Sequence, residues 1–211
     1  MTFRNRQDAG QQLADRLSWL AESEKLLVLG LPRGGVPVAR EVAEALKAEL
    51  DVFVVRKLGT PGQPELALGA VASGGVRVLN RQITEALQVS QGQIDDITRG
   101  ELQKLERQEM QFRGDRPPAE VAGRDVIVVD DGLATGATMH AACQALRRRE
   151  PRQVIVAVPT APRDAVDRLT EVADHVVSVM IPTDFAGVGA WYQDFSQVSD
   201  REVRRLLEEA A

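Results

Sequence analysis

The chain has 211 residues, of which 44% are hydrophobic, and a formal net charge of −5. This length suits a single domain with a sizeable core, and the negative charge argues against a protein that grips nucleic acid through a broad basic face. One cysteine excludes an internal disulfide framework, and two histidines disfavour a zinc cage. The polar N-terminal region and the lack of a long apolar run predict a cytoplasmic protein that binds no membrane.

Helices and buried strands alternate in the first part of the chain. Residues 6–22 and 36–50 have the spacing of helices, and the short apolar runs 26–31 and 52–55 are typical of buried strands. Residues 58–67 contain two glycines and two prolines, which predicts a long mobile loop. Two short strands at 68–72 and 76–80 follow, with a Gly-Gly turn between them.

A long polar helix interrupts this alternation at residues 90–113. Ser90 and Gln93 have the spacing of a capping box at its start. The glycine and prolines at 114–118 end it. The alternation then resumes, with strands at 125–129, 153–158 and 175–180, helices at 137–149 and 163–172, and a last helix that opens at Ser199.

Buried strands that alternate with helices predict an α/β fold, a Rossmann-like parallel sheet with helices on both faces. Ligands bind such sheets at the carboxyl ends of the strands. This rule selects three loops for closer inspection, at 31–35, 57–67 and 130–138.

The third of these loops carries the strongest functional signal. The strand 126–129 runs directly into Asp130, Asp131 and a turn of small residues before a helix. Such a turn exposes backbone N–H groups beside the positive end of the helix dipole, which favours a phosphate. Two acids would repel that phosphate but accept hydrogen bonds from hydroxyl groups, so the pattern fits a sugar phosphate. A plain Asp-Gly turn with Thr135 as a helix cap is the alternative, and it leaves the second acid unexplained.

Four apolar residues, two acids, two variable residues and Ala-Thr-Gly-x-Thr make this segment resemble the phosphoribosyl pyrophosphate motif of type I phosphoribosyltransferases. The resemblance implies an enzyme that transfers the 5-phosphoribosyl group of phosphoribosyl pyrophosphate to a nitrogenous base. It also implies Mg²⁺ bound through the substrate, with no direct protein ligand, and a homodimer. Asp130 and Asp131 would bind the ribose hydroxyls. The residues implied for the 5-phosphate are Gly132, Leu133, Ala134, Thr135, Gly136, Ala137 and Thr138.

Two upstream loops extend the resemblance. The first is similar to the family's pyrophosphate loop, with a non-proline cis peptide expected next to Arg33, and contains Pro32, Arg33, Gly34 and Gly35. The second is similar to the family's catalytic loop, with catalytic roles implied for Arg56, Lys57 and Glu65. Read without the resemblance, these segments are a surface turn and a solvated basic pair before a flexible loop.

The acceptor is less clearly indicated. The family's 6-oxopurine enzymes usually carry an aspartate where this chain has Ala134, whereas adenine phosphoribosyltransferases share an alanine there. An adenine-like purine, and hence purine salvage, is therefore favoured. An aromatic stretch after the last strand, with Phe185, Trp191 and Tyr192, is predicted to form an acceptor hood because aromatic faces stack on bases. Packing in the core or in a dimer interface is the alternative.

The expected organisation is one phosphoribosyltransferase domain over 1–211, with a core at about 24–181, a helical insertion at about 82–118 and a possible hood at 182–198. Two other functions are alternatives for a chain with this motif. A non-catalytic regulator that binds phosphoribosyl pyrophosphate would need a basic face, which the acidic composition disfavours. A diphosphokinase that makes this compound would need an ATP-binding signature, which the sequence lacks.

Overall fold

A five-stranded parallel sheet forms the centre of the fold, which confirms the predicted α/β class. The computed structural model describes residues 2–210, without the side chains of Pro64 and Glu65. Its strands are β1 (Leu26–Gly30), β2 (Glu49–Val52), β3 (Val55–Thr60), β4 (Gln63–Ala72), β5 (Val76–Leu79), β6 (Asp125–Val129), β7 (Gln153–Thr160) and β8 (His175–Met180). Its α-helices are α1 (Arg6–Arg16), α2 (Gly35–Leu46), α3 (Arg81–Ala86), α4 (Gln91–Arg113), α5 (Ala137–Arg147), α6 (Arg163–Leu169) and α7 (Asp200–Glu209).

The parallel sheet has the strand order β2-β1-β6-β7-β8. Its central strands are in simple register, with Val28 opposite Ile127 and Ile127 opposite Ile155. From β1 the chain turns to β2 on one side, whereas from β6 it continues to β7 on the other. The crevice between the carboxyl ends of β1 and β6 is therefore the topological switch point of the sheet.

Successive side chains of the central strands point to opposite faces of the sheet and pack in two separate hydrophobic cores. Val28, Ile127 and Ile155 point to the face covered by α1, α2, α4 and α7. Their neighbours along the strands, such as Val126 and Val156, point to the face covered by α5 and α6. Both faces are buried, which is why these strands are continuous apolar runs in the sequence.

A three-stranded antiparallel sheet, β3-β4-β5, packs beside α5. The prediction of a long mobile loop at 58–67 is wrong, because these residues form most of a hairpin. Pro61 and Gly62 make its turn, and the φ of 77° at Gly62 is the positive value that the third position of a type II turn requires. Leu58 and Leu68 anchor the hairpin in the core, at 1% and 0% exposure.

The polar helix α4 is joined to the sheet by a buried charge pair. Its start confirms the predicted capping box, in which Ser90 and Gln93 satisfy each other's backbone N–H groups. Near its end Arg113 donates to Asp51 of β2 at 2.8 Å, and the two side chains are only 5% and 9% exposed. Arg113 also donates to the carbonyl of Val52. This tie fixes the position of α4 beside β2.

Helix α2 is shorter than predicted. It ends at Leu46 because Lys47 adopts a left-handed conformation with a φ of 52°. The last two residues of the predicted helix, 49 and 50, belong to β2 instead, and the strand predicted at 52–55 is divided between the end of β2 and the start of β3. Within residues 2–210, no helix is long and apolar enough to cross a membrane.

Candidate active site

The loops after β1 and β6 meet at the switch point of the parallel sheet. The N–H of Leu31 donates to the carbonyl of Val129 at 2.8 Å, so the two loops begin in contact. The sequence selected both as candidate ligand-binding loops, and the fold brings them to one crevice.

The turn before α5 presents backbone to solvent between two buried anchors. Leu133 is 3% exposed, and its N–H donates to the carbonyl of Thr160 at 3.0 Å. Gly136 caps α5 with a φ of 73°, a conformation that glycine adopts without strain. Between these anchors Ala134 and Thr135 are exposed. The turn therefore places accessible N–H groups at the positive end of the α5 dipole, where an anion is stabilised.

Asp130 and Asp131 lie side by side at the end of β6. Burial, together with the neighbouring charge of Asp131, raises the pKa of Asp130 well above its ordinary value. Burial also raises the pKa of Asp131, although a hydrogen bond and the charge of Arg6 oppose that shift. The N–H of Asp131 donates to Oδ1 of Asp130 at 2.9 Å. A hydroxyl donor or a cation that approaches two neighbouring desolvated carboxylates stabilises their charged form.

Arg6 is a site residue that the sequence reasoning missed. Its Nε donates to Oδ2 of Asp131 at 2.8 Å, and the side chains are 11% and 14% exposed. A second guanidinium nitrogen donates to the carbonyl of Ser196, and the guanidinium lies 4.0 Å from the centre of the Phe195 ring. Arg6 and Asp131 are 125 positions apart, and Arg6 is the first residue of α1, so no local pattern marks it.

The glycines of the first loop pack directly against the acid pair. A Cβ at Gly34 would lie 1.9 Å from Oδ2 of Asp131, and a Cβ at Gly35 would lie 2.8 Å from the Cα of Asp130. Only glycine allows this close approach, which supplies a physical reason for the Gly-Gly pair. The peptide bond between Pro32 and Arg33 is cis, at the place expected for a cis peptide.

Arg33, which precedes these glycines in the chain, lines a basic cavity of about 620 Å³. Its side chain is 40% exposed and lies 3.6 Å from Asp200. Arg56 of β3 lines the same cavity and pairs with Glu101 of α4 at 2.7 Å. The fold therefore brings together Arg33 and Arg56, two of the predicted cations.

The predicted placement of Arg56 and Lys57 at the end of a central strand is wrong. They are the second and third residues of β3, opposite Val71 and Ala70 of the antiparallel sheet. Because neighbouring residues of a strand point to opposite faces, the two cations diverge. The backbone of Glu65 belongs to β4, but its side chain is outside the described part of the chain, so its predicted role stays a prediction.

Tyr192 is enclosed by other aromatic residues instead of presenting a free ring. It is 7% exposed, and its ring centre lies 5.4 Å from that of Phe3 and 4.9 Å from that of Phe195. Its hydroxyl donates to the carbonyl of Asp131 at 2.6 Å. The backbone N–H of Phe3 donates to the carbonyl of Trp191, which ties this stretch to the N-terminal segment. Phe185 is partly exposed.

A second cavity, of about 670 Å³, lies beside the exposed turn. One wall contains Thr135 and Gly136 with His140 of α5. The facing walls come from the antiparallel sheet, the start of α3 and α6, where Arg168 donates to the carbonyl of Thr135 at 3.0 Å. The elements beside Thr135 are thus the hairpin sheet and α6.

Known proteins match almost the whole length of this chain. The sequence profile of the phosphoribosyl transferase domain matches residues 4–193. A provisionally named phosphoribosyl transferase of Mycobacterium tuberculosis, found in two strains, is 48% identical over 208 residues, which is 99% of this chain and 47% of that protein. The chain thus spans about half the length of the curated relatives it matches.

Two solved structures resemble this chain in fold. The crystal structure of TT1426 from Thermus thermophilus superposes with a TM-score of 0.90 and 47% identity over 100% of both chains. A hypothetical protein from Neisseria gonorrhoeae, solved with bound ppGpp, superposes with a TM-score of 0.50 and 14% identity over 100% of this chain and 99% of that one. The second likeness concerns the fold alone.

Proposed function

The chain belongs to the phosphoribosyl transferase family, and from that premise we propose that it transfers the 5-phosphoribosyl group of phosphoribosyl pyrophosphate to a nitrogenous base, with release of pyrophosphate. The observation that carries this proposal is the crevice at the switch point. There a pair of desolvated carboxylates stands directly beside an exposed turn at a helix N-terminus.

The proposed donor spans this crevice with its sugar in the middle. Asp130 and Asp131 accept hydrogen bonds from the ribose hydroxyls, which relieves the cost of burying two neighbouring charges. Backbone N–H groups of residues 132–138 bind the 5-phosphate at the start of α5, apart from the N–H of Leu133, which donates to the carbonyl of Thr160. The loop of residues 32–35 binds the diphosphate, for which the guanidinium of Arg33 supplies paired donors.

We propose that Mg²⁺ enters this site with the donor. Among residues 2–210, leaving aside the side chains of 64 and 65, no group of three or more His, Cys, Asp or Glu is arranged to hold a metal ion. Mg²⁺ is commonly held by one or two carboxylates together with substrate phosphates. The ion would be held by the oxygens of the donor, with no direct protein ligand, and the nearby charges of Asp130 and Asp131 would favour its entry. The ion would neutralise part of the charge on the diphosphate.

In the reaction, the bond between C1 of the ribose and the diphosphate oxygen breaks, and a bond from C1 to a nitrogen of the base forms. The base loses its proton from that nitrogen, and C1 passes through an oxocarbenium-like state. Arg33 and Arg56, which line one cavity, stabilise the negative charge that develops on the leaving pyrophosphate. Lys57 points to the opposite face of β3 from Arg56, so it is not assigned to this step. Glu65, in the hairpin, is the proposed group for proton transfer.

An adenine-like purine is the proposed acceptor, on the ground that Ala134 stands where 6-oxopurine enzymes usually carry an acid. Tyr192 is assigned here to supporting Asp131, because its ring is packed between Phe3 and Phe195. Trp191 and Phe185 remain the aromatic residues proposed to contact the base. A homodimer stays a prediction that light scattering can test.

A screen of nucleobases for pyrophosphate release tests the proposal. The protein is incubated with phosphoribosyl pyrophosphate and Mg²⁺, and each base is added in turn. We expect base-dependent release with a purine and none from the double variant Asp130→Asn/Asp131→Asn. Tight donor binding without release for any base would refute the enzyme and favour a regulatory protein that only binds the donor.

A further inference from the structure

The basic cavity beside Arg33 is lined in part by residues that belong to none of the sequence motifs. Four cations and one carboxylate line it together with three other polar or small residues. Of these four cations, the family resemblance implies a role in binding or catalysis for Arg33 and Arg56 alone. The complete lining is Pro32, Arg33, Arg56, Lys104, Arg107, Gln108, Gln111 and Asp200.

Helix α4 supplies half of this lining from a single face. Arg107 and Gln108 are adjacent, and each lies three or four residues from Lys104 and from Gln111, which places the four side chains along one stripe of the helix. The apolar positions Leu105 and Phe112 are buried at 1% exposure in the core beneath the helix. The polar stripe is therefore turned toward Arg33 by the packing of the whole helix.

Ties at both edges hold this stripe beside the β1 loop. Arg56 donates to Glu101 of α4 at 2.7 Å. Gln111 donates to Asp200 at 2.8 Å, and Asp200 in turn lies 3.6 Å from Arg33. The separation between the cations of α4 and Arg33 is thus set by the fold and does not depend on a flexible segment.

The cations of the cavity are only partly neutralised. Glu101 is shared between Arg56 and Lys104, each at 2.7 Å. The side chains of Arg33, Lys104 and Asp200 are 40%, 59% and 38% exposed. Ion pairs between exposed groups contribute little to stability, so an entering anion can replace the carboxylates at small cost.

The position of the cavity matches the order of groups in the proposed donor. The turn before α5 follows the acid pair in the chain, Gly34 packs against Asp131, and Arg33, the residue before Gly34, lines the cavity. The donor carries its 5-phosphate, its ribose hydroxyls and its C1 diphosphate in the same order. We propose that Lys104 and Arg107 of α4, together with Gln108, form the second wall of the diphosphate site. This inference rests on the proposed donor.

Calorimetric titration with three ligands tests this assignment. Wild type and Lys104→Gln/Arg107→Gln are titrated with phosphoribosyl pyrophosphate, pyrophosphate and ribose 5-phosphate, each with Mg²⁺. The matched control, Arg99→Gln/Arg205→Gln, removes two exposed positive charges that lie outside the cavity lining. Thermal unfolding establishes that each variant is folded.

We expect the α4 variant to bind phosphoribosyl pyrophosphate and pyrophosphate about 10- to 100-fold more weakly, as the loss of a charge-assisted hydrogen bond requires. Its affinity for ribose 5-phosphate should change less than about threefold, within the effect of long-range charge alone. The control should bind all three ligands as wild type does. Unchanged affinity for both diphosphate compounds would overturn the role of α4, and so would an equal loss for ribose 5-phosphate. A wild-type protein that binds no phosphoribosyl pyrophosphate would instead refute the donor itself.

Discussion

Replacing Arg6 with methionine should destabilise the protein through the acid pair. The substitution keeps most of the side-chain volume but leaves Asp131 without its 2.8 Å partner in a site where both side chains are nearly buried. A hydrogen bond between charged groups contributes about 1.5–3 kcal/mol, and the stacking on Phe195 adds about 0.5–1 kcal/mol. We therefore expect Arg6→Met to lower the free energy of unfolding by about 2–4 kcal/mol, or roughly 5–15 °C in Tm.

A double-mutant cycle with Asp131→Asn isolates the pair. Urea unfolding of wild type, both single variants and the double variant should give a coupling energy of about 1.5–3 kcal/mol at pH 8. The coupling should shrink as the pH falls through the pKa of Asp131, because a protonated carboxyl has no charge to pair. Arg16→Met, at the exposed end of the same helix, serves as control and should cost less than about 0.5 kcal/mol. A coupling energy near zero at pH 8 would refute this reasoning.

Three further substitutions probe the site and its support. Asp130→Asn should stabilise the protein at pH 8 by about 1–2 kcal/mol. Because burial raises the pKa of Asp130, its ionised carboxylate destabilises the folded protein at high pH, and this destabilisation is lost as the pH falls toward the ordinary pKa of 3.8. The gain from Asp130→Asn should therefore disappear toward pH 4, and a gain that persists there would contradict the assignment. Gly34→Ala should weaken donor binding more than about tenfold, because its Cβ would displace the Asp131 carboxylate, whereas Gly100→Ala has open space and should stabilise α4 by about 1 kcal/mol. Asp51→Ala should cost about 1.5–3 kcal/mol in denaturant unfolding, because the buried Arg113 loses one of its two carboxylate partners and keeps Glu109 at 3.0 Å; a loss below about 0.5 kcal/mol would exclude a structural role for the pair.

Local signals predicted the parallel sheet and the acid loop well. Residues 126–138 contain a buried strand, two acids and a glycine-capped helix start within one continuous segment, so their arrangement follows from short-range geometry. The same holds for the capping box at Ser90, where both partners lie within one turn. The strand order did not follow from such local signals, because β1 pairs with β6, a distant segment of the chain, with Leu26 opposite Asp125.

Prediction failed where a local pattern had two solutions. Glycine and proline at 58–67 suit a mobile loop, but Pro61-Gly62 is also a favoured turn pair. Burial of the flanking Leu58 and Leu68 in the core stabilises the hairpin over a mobile loop. Their partners belong to distant elements, so the sequence pattern alone does not show that they are buried.

Long-range contacts account for the rest of the site. Arg6 reaches Asp131 across 125 positions, and Tyr192 reaches the same residue across 61. Likewise the cations of α4 have the pattern of ordinary surface charges in the sequence, and only the packing of the helix turns them toward Arg33. Such residues are identified by the folded structure, which brings their side chains to one crevice.

The most direct test of the donor assignment is a calorimetric titration of phosphoribosyl pyrophosphate, with Mg²⁺, into wild type and into Asp130→Asn/Asp131→Asn. Wild type should bind the compound, and the double variant should remain folded while losing affinity by more than about 100-fold, since two charge-assisted contacts are removed. Equal affinity in a folded double variant would contradict the assignment of the acid pair to the ribose, and with it the central claim.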